Sequence, residues 1–504
     1  MALWIHGFWA KSDAGESSNC ASIRPRPGGG VPGTRIGVSL DKGARFSYVM
    51  LGVAALAATC ALVLWFGHGN QRLAMRIPGT DRPPGTSDTG LTNAVLAGKT
   101  LPGPGTAGKT QGNWPQFRGP QRDGVSRENI PLARSWQGAG PKVLWGIDVG
   151  EGYAGAAVAG GRVYLMDYDR DKKQDALRCL SFDDGREIWR FAYPVSIKRN
   201  HGMSRTVPAI ADGLVVSMGP KCHVAALNAE TGELRWGMDL VRQFGTTVPP
   251  WYAGQCPLVE NGRVFLAPGG KDALLIAVEA ATGNVLWKSP NPHAWKMTHA
   301  SIVSAQIDGE PMLIYCADKG VVGVSARDGR ILWETTDWKI SIATVPSPLV
   351  LDDGKIFFSG GYDAGAMMLQ IKREGGSFKP AVLFRTSPKV FGATQQTPVF
   401  YQGHIFGVRP DGKFSCLTTD GKLLWTSDGK PFGLGPFVLG DGVFYALNDS
   451  GLLRVIEADP GKYRMIGQAQ LLEGRESWGP QALTAGRLLA RDLTRLVCVD
   501  LSAQ

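Results

Sequence analysis

The chain has 504 residues, with 67 glycines, 32 prolines and 43% hydrophobic residues, a balance that fits a turn-rich all-β protein. Its net charge of +10 divides into +6 over residues 1–112 and +4 over the remainder. A surplus that small on so long a stretch excludes a basic nucleic-acid footprint, so no nucleic-acid partner is expected.

Residues 1–45 read as an N-terminal cytoplasmic tail. The next 21 residues, 46–66, carry no charge and are long enough to cross a bilayer. No small-residue cleavage site follows, so an uncleaved transmembrane signal anchor is expected. Arg26, Arg35, Lys42 and Arg45 precede the span, against Arg72, Arg76 and Arg82 after it. This bias orients the N-terminus inward and the bulk of the chain outward, as a single-pass protein of a bacterial inner membrane with its main domain on the periplasmic side. Residues 67–112, rich in Gly, Pro and Thr, read as a flexible tether. Within them, Gly103–Thr110 (GPGTAGKT) matches a phosphate-loop pattern, but the strand and helix that pattern needs are missing around it. Residues 113–141 form a lead-in.

From residue 142 onward the chain is periodic. A turn ending in glycine introduces a β-rich run eight times, at Gly161, Gly213, Gly262, Gly309, Gly354, Gly403, Gly442 and Gly486. The intervals are 52, 49, 47, 45, 49, 39 and 44 residues. A second marker keeps step, a glycine four residues before a tryptophan, ending at Trp189, Trp236, Trp287, Trp333 and Trp425. Four short antiparallel strands per unit at this period predict an eight-bladed β-propeller over residues 142–504. The last unit has strands for three positions only. The spare strand Lys142–Val149, which carries Trp145, is expected to complete it and close the ring without a free sheet edge. Phe384 stands in for the missing tryptophan of unit five, and residues 464–467 take that place in unit seven.

Residues that keep time with the repeat are scaffold. Trp145, Trp189, Trp236, Trp287, Trp333 and Trp425 are expected to dock one blade on the next. Cys179, Ala226, Ala277 and Gly323 share one small-residue slot, so the cysteines are expected to be unpaired, buried thiols. Asp167, Asp169 and Asp171 are spaced like the start of a calcium loop, but Lys172 and Arg178 occupy its glycine and bidentate-carboxylate positions, which leaves a solvated hairpin and no metal site.

Residues that break the repeat are better candidates for function. The segments between one blade's last strand and the next blade's first open on one mouth of the ring. They carry Arg199, His201 and Arg205, then Trp251, Tyr252 and Gln255, then Trp295, Lys296 and His299, then Gln395, Gln396 and Trp478. From these, His201, Arg205, Trp251, Tyr252, Gln255, His299, Gln395, Gln396 and Trp478 are the candidate binding residues. Aromatics, amides and a few cations suit polar small molecules, glycans or an extended peptide. No catalytic triad or zinc-protease motif occurs, and no catalytic residue is assigned.

Residues 226–236 (ALNAETGELRW) and 277–287 (AVEAATGNVLW) resemble the tryptophan-docking repeat of quinoprotein alcohol dehydrogenase-like propellers, the PQQ-like repeat. Residues 113–126 (NWPQFRGPQRDGVS) look like the lead-in of exported bacterial proteins with that repeat. The resemblance implies one of two things. The first is a non-enzymatic binding or assembly scaffold in the cell envelope, similar to the propeller lipoprotein of the outer-membrane β-barrel assembly machine. It would need no cofactor, and its partners would be envelope proteins, peptides or glycans. The alternative is an alcohol or sugar dehydrogenase using pyrroloquinoline quinone (PQQ) with calcium; a glycan-binding surface module is a second alternative. The enzymes of the family carry a disulfide between adjacent cysteines beside the cofactor, and this chain has no Cys-Cys pair. The scaffold reading is therefore the expected one.

Overall fold

The computed structural model describes residues 42–68, 93–138, 140–429 and 432–503. It comprises two units, residues 1–75 and 76–504. In the first, helix α1 runs over Lys42–His68. The expected span, residues 46–66, falls within it, but only residues 50–63 of α1 have described side chains. Among the described residues no helix is long and apolar enough to cross a membrane. The tail 1–41 and residues 69–92 lie outside the described residues.

Among the described residues the second unit is built of eight sheets whose blade strands pair antiparallel; in seven the four blade strands follow one another in sequence, and in the eighth three C-terminal strands are joined by an earlier one. The all-β, eight-bladed propeller read from the repeat is what forms. At five of the eight blade junctions the first strands of neighbouring blades touch one another, which makes the first strands the inner wall of the ring. Closure is as expected: Lys142–Asp148 pairs antiparallel with Arg495–Asp500 as the outer strand of blade 8.

All eight blades carry a bulge between the third and fourth strands, at the same repeat position. The residue just before the bulge pairs directly with the blade's large outer-strand residue: Cys179 with Trp189, Ala226 with Trp236, Ala277 with Trp287, Gly323 with Trp333, Cys416 with Trp425 and Cys498 with Trp145. The small-residue slot thus has a physical reason. It leaves room for an indole across the strand pair, and the bulge re-aims that indole toward the next blade. All six described cysteines of the propeller are buried and free, and Cys60 in α1 is exposed and free.

The tryptophans lie against the turn glycines of the following blade. A Cβ on Gly185, Gly232, Gly283 or Gly329 would fall 2.5–2.8 Å from Trp145, Trp189, Trp236 or Trp287 respectively, and Phe384 covers Gly421 in the same way. Trp145 and Trp236 also donate Nε1–H to the carbonyls of Phe182 (3.0 Å) and Ala280 (2.8 Å). Trp425 donates to Asp459 O in blade 7 at 3.0 Å. Trp333 differs. Blade 5 has a long hairpin, Gly365–Glu374 with Ser377–Thr386, in place of the glycine turn, and the Trp333 indole turns to Met312 Sδ of its own blade.

Gly232 adopts φ +71°, and a Cβ there would lie 2.6 Å from Trp189. Gly213 has a similar φ, +75°, with nothing near it. Gly232→Ala is therefore expected to destabilise by about 2–4 kcal/mol and Gly213→Ala by about 1 kcal/mol. The difference between their denaturation midpoints measures the docking contact.

The tether expectation is corrected from Asn93 onward. Lys99–Pro102 pairs antiparallel with the outer strand of blade 1, Glu187–Pro194, as a fifth strand. The phosphate-loop lookalike continues along that edge, with Gly103 N–H donating to Ile188 O and Gly105 N–H to Glu187 O. Asp183 accepts the N–H of Lys109 at 2.7 Å, so a carboxylate of the chain itself sits where the motif would hold phosphate. Its glycines serve close approach: a Cβ on Gly103 would meet Glu187 O at 2.0 Å.

The lead-in is bound to the ring as well. Asn113–Trp114 pairs with the inner strand of blade 1, and Val125–Ser126 runs parallel to the inner strand of blade 7. Between them, residues 115–124 cross the central channel. Arg118 donates to the carbonyls of Thr397 and Pro398 in blade 6, at 2.6 and 2.8 Å. Arg122 donates to Ser304 Oγ in blade 4 (3.0 Å) and lies 3.8 Å from Glu260 in blade 3. The lead-in is a plug in the ring.

Candidate functional site

Above the plug the ring opens into a cavity of about 320 Å³. The inner strands position it. Apart from Tyr362 and the plug's Phe117, its wall residues precede those strands in sequence, whereas the plug chiefly lies along the strands themselves, so cavity and plug occupy successive levels of one channel. Phe117 of the plug lines both levels and forms the floor.

The wall is tied together by one hydrogen-bonding device. Val207 N–H donates to Cys256 Sγ (3.2 Å), Cys256 N–H to Ser301 Oγ (3.0 Å), Ser301 N–H to Ser347 Oγ (3.0 Å) and Ser347 N–H to Thr397 Oγ1 (2.9 Å). Each bond joins one blade's entry to the next, from blade 2 to blade 6. It satisfies backbone donors that the short inner strands leave without ladder partners. Cys256 is part of this wall, and burial pushes its thiol up to about 11.

Seven of the nine candidate residues converge on the cavity: His201, Arg205, Trp251, His299, Gln395, Gln396 and Trp478. Tyr252 and Gln255 do not line it. Tyr252 is buried, and its hydroxyl donates to Lys198 O at 2.5 Å. Gln255 is fully buried, and its amide accepts from Ala267 N–H and donates to Ala267 O, which fastens the loop to the strand beside it. Of the neighbouring candidates, Arg199 pairs with Glu151 and Trp295 is buried within the blades.

The aromatic lining residues that escaped the sequence reading are Phe117, Tyr153 and Tyr362. Tyr153 was legible, because residues 149–156 join blade 8 to blade 1 just as 195–208 join blade 1 to blade 2. Phe117 carried no such signal, since nothing in the lead-in announces that it crosses the channel.

Arg205 is the fixed charge of the site. Its guanidinium lies 4.9 Å from the Tyr153 ring centroid, and Nη2 donates a long hydrogen bond to Asn200 O at 3.4 Å. Burial lowers it to about 10, with the charge of Glu476 acting in the other direction. Glu476 does not face the cavity as a free carboxylate, because it accepts the Tyr153 hydroxyl. Tyr153 packs on Trp478 with ring centroids 5.2 Å apart, and Trp478 Nε1–H donates to Asp449 at 2.7 Å. Gln396 Nε2 donates to Trp478 O.

His299 is held neutral. Burial first and the Arg205 charge second push it down to about 3, and a ring N–H donates to the backbone of Tyr252. Nε2 has no partner and is buried, so Nδ1 carries the proton and Nε2 is an acceptor. Among the described residues no Asp or Glu lines the cavity. Among the described residues no cluster of His, Cys, Asp and Glu could hold a metal ion. The early aspartates of blade 1 are otherwise occupied, Asp167 with Arg178 at 2.9 Å and Asp169 with Lys172 at 3.4 Å.

Residues 172–419 match the family model described as outer membrane protein assembly factor BamB. BamB of Yersinia pestis is 21% identical over 53% of this chain and 61% of its own length, and BamB of Moranella endobia 22% identical over 66% and 73%. The chain thus spans about three-fifths of the length of the first of these relatives. Among solved structures, BamB from Moraxella catarrhalis aligns with a TM-score of 0.48 at 13% identity, covering 71% of this chain and 99% of that one. A europium-containing methanol dehydrogenase aligns at 0.43 and 12%, covering 76% and 89%. Likenesses of this order to solved structures carry no argument about activity.

Proposed function

Because this chain is a PQQ-repeat-like propeller similar to outer membrane protein assembly factor BamB, we propose that it is a non-enzymatic binding scaffold of the cell envelope. The observation that carries the reading is the mouth cavity, which gathers aromatics, amides and one cation from several blades and, among the described residues, no carboxylate. Such a lining recognises: its aromatic faces and amides offer stacking and hydrogen bonds to a bound molecule. Partners are envelope proteins, in keeping with the assembly role in the relatives' name. Residues 46–66 anchor the chain in the inner membrane with the propeller outside, which holds the cavity near its partners at high effective concentration.

The lining does not fit the quinone alternative. Calcium takes six to eight oxygens, carboxylates prominent among them. Among the described residues the cavity offers no carboxylate, and its nearby Glu476 is engaged by Tyr153.

The test is site-specific photo-crosslinking in intact cells from position 395, with fractionation of the full-length protein. Crosslinks to envelope proteins and retention in the carbonate-washed inner membrane are expected. Absence of crosslinks, together with calcium- and PQQ-dependent dye reduction, would overturn the reading.

A further inference from the structure

The polar atoms of the mouth cavity are unequally satisfied, and the imbalance has a chemical sense. Arg205 is a cation without an ion pair among the described residues, its Nε buried and unpartnered. His299 Nε2 is likewise buried and unpartnered, and it can only accept. Gln396 spends its N–H on Trp478 O, which leaves its carbonyl oxygen as an acceptor. The site therefore offers one place for a negative charge and two acceptors for hydroxyl donors, with the Gln395 amide beside them. The flat faces of Trp251, Trp478 and Tyr153 stand around them, with Trp251 6.3 Å from His299. At about 320 Å³ the cavity lies at the small end of ligand pockets, which run roughly 300–1,000 Å³.

We infer that this cavity binds an acidic saccharide, its carboxylate on Arg205, its hydroxyls on His299 Nε2 and the Gln395 and Gln396 amides, and its C–H face on Trp251 or Trp478. A sugar acid is the ligand class that supplies both requirements, one anionic group for a guanidinium and several hydroxyl donors for neutral acceptors. A plain carboxylate leaves the acceptors unmet, and a neutral sugar leaves the cation unmet. The inference rests on the cavity being a recognition site, and it names what is recognised.

The experiment titrates the whole protein with glucuronate, glucose and acetate, following tryptophan fluorescence. Glucuronate is expected to bind at least about tenfold tighter than either of the others. Arg205→Met should weaken glucuronate about tenfold or more and leave glucose unchanged, whereas Arg205→Lys should recover part of the loss. If Arg205→Met does not fold, Gln395→Ala takes its place and should weaken glucuronate several-fold. Equal binding of all three probes, absence of glucuronate binding, or indifference to these variants would overturn the inference. Crosslinking to envelope proteins would survive that failure, and sugar binding would survive loss of the crosslinks, so the two proposals fail separately.

Discussion

Replacing Arg118 with methionine should lower the stability of the propeller by about 3–5 kcal/mol, the largest effect expected of a single change outside the blades. The guanidinium bonds four backbone carbonyls at once: Arg122 at 3.1 Å, Asp123 at 2.7 Å, Thr397 at 2.6 Å and Pro398 at 2.8 Å. Two belong to the plug and two to blade 6, so one side chain fastens the plug across the ring. Burial already lowers Arg118 to about 10, so its charge is held by these carbonyls against a desolvation cost. Methionine would fill the space and leave the carbonyls without donors. Arg122→Met should cost less, about 1 kcal/mol, because its bonds at 3.0–3.4 Å are longer and its partner Glu260 stays solvated. Chemical denaturation reads both values. Limited proteolysis adds a local readout: Arg118→Met should become cleavable within residues 115–124 under native conditions. Equal stability losses for the two variants, or a plug that stays protected in Arg118→Met, would show that Arg118 is not the fastening.

The blades were legible because their determinants are local. A glycine at positive φ, a small residue facing an indole and a turn every 39–52 residues are all written within single units. Even closure could be read, since a lone strand with a tryptophan has one place to go in a ring. The plug and the fifth strand of blade 1 were not legible for the opposite reason. Lys109 meets Asp183 across 74 positions and Arg118 meets Thr397 across 279. Their Gly- and Pro-rich sequence has the composition of a tether, and only the partner edge makes it ordered. The site lies between these cases. Topology places every inter-blade segment at one mouth, so seven of nine residues arrive together. Which way each side chain turns is decided by the loop's own backbone needs. Gln255 turns inward because Ala267 otherwise loses both of its backbone partners there.

Asp175 should make the propeller less stable as pH rises, and Asp175→Asn should remove that dependence. The carboxyl is fully buried at the contact of blades 1 and 2. Burial is the first cause that raises it to about 8, with the charge of Asp167 in the same direction and the Tyr193 hydroxyl opposing. Tyr193 donates to one oxygen and the other has no partner. Around them, His223 stands edge-on to Tyr193 at 5.5 Å and 3.7 Å from Asp239. The unfolded chain releases this proton near 3.8 and the folded chain near 8. Between those values the folded state binds more protons, so its stability falls as pH rises and levels off above about 8. At pH 7 the loss is on the order of 4 kcal/mol relative to pH below the unfolded value. Asparagine reproduces the shape of the protonated acid, keeps an acceptor for Tyr193 and cannot ionise. The difference in melting temperature between Asp175→Asn and the unaltered protein should therefore grow from near zero at pH 4 to several degrees at pH 8. Subtracting the two curves cancels the titrating groups that do not interact with Asp175, so a difference independent of pH would mean that Asp175 is ionised in the folded chain.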